Sequence, residues 1–335
     1  YNRVVNTGAI AALTNLTVSL LGQSNMYQLG WNVRDYPLAD LRARRWSDSG
    51  WGYCGNYDLT QTFPPGTPYS TYGEGATQIN QAGDGLVYLV NNLCATLSAQ
   101  VRTFEYAVSG SDMVQWVGSG SCWTRYASAV STAGMACDFA AFLQGESDAA
   151  LGTSKSQYKT WLGDLLSQLK SNTTNPAFKF GVVILGPCTT QWAAEGNMGV
   201  IRSAELEFVA ENAGNGAYIG CCIHDASISF GDSVHFDTTG KIMLGRRIAK
   251  GILHQMGYLP HGAEGPKITS ATRSGAVVTV HITQNGGTLL ADGAGGSGSA
   301  LLGFRVYDGG SLCTINATAI SGNTVVLTLS ATPAG

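Results

Sequence analysis

Residues 179–185, KFGVVIL, decide how the chain is read. The run is almost wholly apolar, rich in β-branched residues and closed by Gly186-Pro187, so it reads as a strand buried on both faces. Four other runs share its character: residues 14–21 (TNLTVSLL), 102–108 (RTFEYAV), 138–143 (DFAAFL) and 218–223 (YIGCCI). Helical periodicity lies between them. Residues 86–97 and 201–212 carry apolar side chains at helical spacing. Residues 155–169 place Trp161, Leu162, Leu165, Leu166 and Leu169 on one stripe, and residues 239–256 form a long helix with basic residues in its later turns. Doubly buried strands alternating with helices predict an α/β fold, a parallel sheet with helices on both faces. In such sheets functional groups gather at the carboxyl ends of the strands.

The texture changes after Pro260. Residues 267–283, 301–307 and 323–329 alternate like short strands, separated by glycine-rich turns such as residues 293–298 (GAGGSG). The expected division is an α/β domain over residues 1–259, a linker over 260–266 (PHGAEGP) and a small β-sandwich domain over 267–335. Residues 31–73 and 109–123 read as long loops, rich in aromatics that include Trp46, Trp51, Trp116 and Trp123.

Composition narrows the function. The 335 residues hold 19 basic and 22 acidic side chains, a net charge of −3 with no basic block, which argues against nucleic acid as a partner. No apolar run is long enough to predict a membrane span. Low charge (12% of residues), 44 glycines and an appended β unit suit a secreted, periplasmic or phage-virion setting. The eight cysteines form no CxxC pair. Cys221-Cys222, close to His224 and Asp225, reads as part of a buried strand rather than a metal site, while Cys54 and Cys122 fall in loop-like stretches where a disulfide could form.

Three polar motifs punctuate the apolar pattern. Gly22-Gln-Ser-Asn-Met26 follows the first strand, where a serine in a tight turn can project its hydroxyl at the sheet edge among backbone N–H groups. Read alone, it merely ends a strand. Asp232-Ser-Val-His235 precedes the last helix and supplies a base with a carboxylate three residues away. His224, after the fifth strand, is the rival base; His254, His281 and His261 lie in a helix, the β unit and the linker. Gln144-Gly-Glu-Ser-Asp148 follows the third strand. The Gln144 amide suits a neutral oxyanion donor, whereas Glu146 and Asp148 read as structural or as contacts to substrate hydroxyls.

Together and in this order, GQSNM, QGESD and DSVHFDTTG resemble the SGNH hydrolase superfamily, and within it the sialate O-acetylesterase and acetylxylan-esterase-like branch, over roughly residues 15–256. The resemblance implies a flavodoxin-like parallel sheet and a serine esterase that removes O-acetyl groups from a carbohydrate without metal or organic cofactor. It implies Ser24 as nucleophile, His235 as base, Asp232 as the partner of His235, and an oxyanion hole made by the Ser24 N–H, a glycine N–H and an amide side chain. The wider superfamily has an asparagine in its third block. This chain has none there, and in the closer branch a glutamine takes that role, here Gln144. For the glycine, Gly85 is favoured over Gly83 because it lies three residues before Tyr88 at a helix start. Gln23, Glu146 and Trp116 are the candidates for contacting an acetylated carbohydrate. The alternatives are a lipase or thioesterase with the same site, a sugar acyltransferase, and a non-catalytic polysaccharide-binding component.

Overall fold

The computed structural model describes residues 15–27, 43–47, 50–53, 84–134, 136–189, 192–284, 286 and 304–334. In chain order these form β1 (Asn15–Gly22), α1 (Ser24–Tyr27), β2 (Ala43–Ser47), β3 (Gly50–Tyr53), α2 (Asp84–Thr96), β4 (Gln100–Ala107), α3 (Ser121–Ala133), β5 (Phe139–Leu143), α4 (Glu146–Leu151), α5 (Lys155–Asn172), β6 (Lys179–Ile184), α6 (Glu195–Asn212), β7 (Ala217–Cys222) and α7 (Thr238–Gln255). One sheet takes the order β3-β2-β4-β1-β5-β6-β7. All its pairings are parallel except β2 with β3. The five strands foreseen from sequence occupy β4-β1-β5-β6-β7, the flavodoxin-like order in which the sheet is wound outward from its first strand.

The apolar runs explain these positions. β5 and β6 sit mid-sheet, where nearly every residue is buried. In β1 even Thr17 and Ser19 are buried, and the Ser19 hydroxyl meets Tyr126 Oη and Cys137 Sγ. Helices cover both faces: α2 packs on α7, and α5 packs on α6. The stripe foreseen on α5 is buried at Leu162, Leu165, Leu166 and Leu169. Connections between successive strands thus leave the ends of β1, β5, β6 and β7 on one edge of the sheet.

Two stretches read as loops contain regular structure. Within residues 31–73, β2 and β3 form an antiparallel hairpin that extends the sheet beyond β4; the remaining aromatics of that stretch, Trp31 among them, lie outside the described residues. Residues 109–123 contain a 3-10 turn (Met113–Trp116) and the start of α3. Cys122 therefore stands in a helix, buried, with its thiol donating to Gln115 Oε1 at 3.4 Å; Cys54 lies outside the described residues.

A second compact unit begins at Glu264. Here β8 (Lys267–Ser274), β9 (Val277–Thr283), β12 (Ile315–Ser321) and β13 (Thr324–Leu329) form an antiparallel sheet in the order β12-β13-β9-β8. A two-stranded sheet, β10 (Val306–Asp308) with β11 (Ser311–Cys313), stands apart from it in the hydrogen bonding. The unit has its own small core of Val280, Val325 and Leu327, against which Phe304 and Val306 pack.

Candidate active site

The turn after β1 is built on Gly22. Its φ is +142°, and a Cβ there would lie 1.8 Å from the Leu143 carbonyl oxygen, so only glycine lets β1 and β5 end this close together. Gln23 N donates to Leu143 O at 3.1 Å, and Val108 N donates to Gly22 O at 2.9 Å. The chain then turns straight into α1, whose first residue is Ser24. The opening N–H groups of a helix have no partner within it, so Ser24 stands where an acceptor is met by backbone donors.

The polar residues around Ser24 are almost fully buried and bonded to one another. Glu146 Oε2 accepts from Gln23 Nε2, and Glu146 Oε1 accepts from Asn25 Nδ2 at 2.8 Å. Gln23 Oε1 accepts from Ser147 Oγ at 2.8 Å and from Gln144 Nε2 at 3.4 Å. Trp192, in the segment that follows β6, donates its indole N–H to Glu146 O at 3.0 Å. Burial pushes the Glu146 carboxyl up, opposed by the amides of Asn25 and Gln23. Burial likewise pushes Asp148 up to about 6, although it accepts from Met113 N at 3.2 Å and from Gln144 Nε2 at 3.3 Å.

The second half of the site is the turn before α7. Asp232 Oδ1 accepts from three successive backbone N–H groups: Ser233 at 2.6 Å, Val234 at 2.9 Å and His235 at 3.0 Å. Its other oxygen lies 2.8 Å from His235 Nδ1. Burial works against the charge, but the His235 and Val234 N–H groups and the imidazole outweigh it and hold the carboxyl well below the usual carboxylate range. With Nδ1 facing Asp232, Nε2 is left as the proton acceptor. Asp237 caps α7 through Gly240 N at 2.8 Å.

Asn25 joins the two halves. Its Nδ2 donates to Val234 O at 3.1 Å and its Oδ1 accepts from Phe236 N at 3.1 Å, so one side chain holds the backbone on both sides of His235. Thr189 N adds a bond to Ser233 O at 2.8 Å from the loop after β6. Among the described residues, Ser24 and His235 make no direct hydrogen bond; the two turns are brought together by Asn25.

The rival base is differently placed. Burial, then the charge of Arg202, lowers the pKa of His224, and the carboxylate of its neighbour Asp225 accepts from Arg247 at 2.7 Å. Cys221 is fully buried in β7, where burial raises its thiol well above the ordinary range, as befits an apolar strand residue. Among the described residues, no group of three or more His, Cys, Asp or Glu could hold a metal ion.

The other expected site residues are all buried. The Gln144 amide is bonded within the protein: its Nε2 donates to Ser111 O at 2.6 Å, with Asp148 Oδ2 at 3.3 Å and Gln23 Oε1 at 3.4 Å as its other acceptors. Gln23 and Glu146 are each 1% exposed, and the bonds of their side chains run to protein partners. Trp116 is wholly buried, edge-on to Tyr106 and Phe142, with its N–H on Ser111 Oγ at 3.1 Å; it has no ring face for a sugar. Gly85 is buried in the first turn of α2. A Cβ on Gly245 of α7 would meet its carbonyl oxygen at 1.9 Å, so α2 and α7 touch there at backbone distance. Since α2 runs back to the start of β4, its N-terminus lies toward the edge that carries Ser24.

Sequence reading passed over Asn25 and Phe230. Asn25 had no signal beyond standing next to Ser24. Phe230 is fully exposed two residues before Asp232, in a loop closed by Ser229 N donating to His235 O at 2.8 Å; an aromatic beside a Gly-Asp turn is the signal that could have found it.

Comparison with known proteins agrees with this architecture. The family model "carbohydrate esterase, sialic acid-specific acetylesterase" matches residues 17–254, most of the chain. Among solved structures, a carbohydrate acetylesterase from Xanthomonas citri is similar with a TM-score of 0.67 at 16% identity, covering 95% of this chain and 73% of its own. A protein from Arabidopsis thaliana gives 0.54 at 17% identity, covering 72% and 98%. At these identities the structures speak to the fold alone. No curated protein sequence matches the chain. The long family match, over a sheet whose strand ends carry the three motifs, places this protein in the carbohydrate esterase family of sialic acid-specific acetylesterases, and it is a carboxylic ester hydrolase.

Proposed function

We propose that the protein is a serine O-acetylesterase acting on an acetylated carbohydrate, with Ser24 as nucleophile, His235 as general base and acid, and Asp232 as the group that orients and charges His235. The observation that carries this reading is the 2.8 Å contact of Asp232 with His235 Nδ1, on a turn held by the side chain of Asn25, the residue next to Ser24. Ser24 Oγ attacks the acetyl carbonyl carbon as His235 Nε2 takes the hydroxyl proton. Negative charge grows on the carbonyl oxygen. The N–H of Ser24 at the start of α1 and the N–H of Gly85 at the start of α2 are the donors assigned to it. Collapse breaks the bond between the acyl carbon and the sugar oxygen, and the leaving sugar oxygen takes the proton from His235. Water, deprotonated by the same imidazole, then attacks the carbonyl carbon of acetyl-Ser24; the acyl–Oγ bond breaks, the imidazolium returns its proton to Ser24 Oγ, and the acid leaves and ionises to acetate. Phe230 is fully exposed two residues before Asp232, and an aromatic ring there suits stacking on a sugar face.

Two experiments test the reading together. A fluorophosphonate probe should label the wild type at Ser24 and fail to label Ser24→Ala. Acetate release from O-acetylated sialic acid, acetylated xylan and p-nitrophenyl acetate should vanish in the same variant. Labelling at another residue would overturn the nucleophile. Hydrolysis that rises from acetyl to octanoyl esters would move the enzyme to lipase chemistry.

A further inference from the structure

We propose that Glu146 is the positioning residue of this site: one buried carboxylate that fixes the side chains on both sides of Ser24 and, through Asn25, the backbone on both sides of His235. The proposal rests on the Ser24–His235 reading above. Its two oxygens divide the work. Oε2 takes the Gln23 amide, and Oε1 takes the Asn25 amide at 2.8 Å. Asn25 spends its remaining capacity on Val234 O and Phe236 N, both at 3.1 Å. The backbone of Glu146 is itself held, because it opens α4 and its carbonyl accepts from Trp192.

A carboxylate is an expensive way to fill such a place. Glu146 is 1% exposed, and among the described residues no lysine or arginine is bonded to it. Burying an acid among neutral partners costs more than burying an amide of the same shape. The arrangement nevertheless requires a group that accepts at both ends, because each oxygen faces an N–H donor. A glutamine side chain at this position would set an N–H against the amide of Gln23 or of Asn25. A flip of Gln23 would turn its N–H groups onto Gln144 Nε2 and take from that group the acceptor it has in Gln23 Oε1. Either response moves a residue adjacent to Ser24 or loosens the clamp on His235. Displacements of about 1 Å in a catalytic constellation cost on the order of 100-fold in rate.

The test is Glu146→Gln beside the double variant that combines Gln23→Glu with Glu146→Gln, an exchange of the two side chains. In the exchange every partner of position 23 is a donor (Ser147 Oγ, Gln144 Nε2 and the new amide at position 146). The amide oxygen introduced at position 146 still accepts from Asn25, so all bonds re-form. With p-nitrophenyl acetate, Glu146→Gln should lose about 10- to 100-fold in kcat with KM changed less than about 3-fold. The exchange should recover kcat to within about 5-fold of wild type. A merely structural residue would lower the melting temperature and leave the kcat of the folded fraction intact. The proposal is overturned by a folded Glu146→Gln with wild-type kcat, or by a folded exchange variant that recovers nothing. Should Glu146→Gln not fold, the exchange decides: activity upholds the proposal, and failure to fold there too would assign Glu146 to stability alone. Ser24→Ala measured in parallel separates the two readings, since activity in that variant would fault the nucleophile and not Glu146.

Discussion

The two turns that meet at this site are built on opposite plans. The Ser24 turn is dry and depends on distant parts of the chain: Gln23, Asn25, Gln144 and Glu146 are all nearly inaccessible, and their bonds join residues 121 positions apart. The Asp232–His235 turn is open, with side chains 31% and 27% exposed, and the bonds that the Asp232 carboxylate makes within it span three residues or fewer. The first is geometry imposed by the fold; the second is geometry written into four consecutive residues. Asn25 is the point at which the one is registered on the other.

The largest expected effect tests the second turn. His235→Ala should cut kcat/KM about 10⁴-fold or more, in line with Ser24→Ala, because the members of such a set act as a unit. Asp232→Asn should cost somewhat less, about 10²- to 10⁴-fold, by setting an N–H against His235 Nδ1. Neither should shift the melting temperature by more than a few degrees, since both side chains are partly exposed and little packing is lost. Steady-state kinetics with a thermal melt on each variant checks both halves. Full activity in His235→Ala with inactivity in His224→Ala would transfer the base to the other histidine.

The same contrast explains what the sequence made legible. The spacing of Asp232 and His235 was readable because an Asp three residues before a His can nest the intervening N–H groups by itself. The five central strands were readable because burial on both faces leaves an uninterrupted apolar run. The direction of the Gln144 amide was not, because it is set by Ser111, 33 residues away on another loop. Trp116 was misjudged for a related reason: an aromatic in a glycine- and serine-rich stretch can turn inward as readily as outward, and here Tyr106, Phe142 and Ser111 draw it in. The strand β2 carries Arg44, Arg45 and Ser47, a pattern that gives no apolar alternation to detect. The start of α3 did leave a trace. Cys122, Tyr126, Ala129 and Val130 recur at helical spacing, but three of the four are too small to stand out.

A smaller effect, on stability, compares one glycine from each turn. Gly22 and Gly231 both have positive φ, +142° and +79°. At Gly22 an added Cβ meets the Leu143 carbonyl at 1.8 Å, whereas around Gly231 nothing lies within 4 Å. Gly22→Ala must strain the backbone and also push β1 and β5 apart, a loss of about 3 kcal/mol or more. Gly231→Ala carries the backbone term alone, about 1 kcal/mol. Urea denaturation of both variants measures the difference. Equal losses would mean that the Ser24 turn is less constrained by its neighbours than the bonding indicates.

The last effect is in the pH dependence of stability, where the two turns should differ in sign. Asp148, in the dry network, has its pKa pushed up to about 6 by burial, from an ordinary value near 3.8. The folded state therefore binds its proton more tightly than the unfolded state. Stability linked to Asp148 is greatest below about pH 4, falls as the pH rises to about 6 and is constant above that, a change of about 2–3 kcal/mol. Asp232 is shifted the other way, below the usual range. Its contribution is present above about pH 4 and is lost only as the pH falls through its depressed folded value. Urea midpoints between pH 4 and pH 7 should accordingly show that Asp148→Asn flattens the decline seen in the wild type. Asp232→Asn should run parallel to the wild type across the same window, because Asp232 is ionised in both folded and unfolded chains there. A wild-type decline that persists unchanged in Asp148→Asn would place the buried titration elsewhere in the network, at Glu146 or Glu205, whose carboxyls burial also raises.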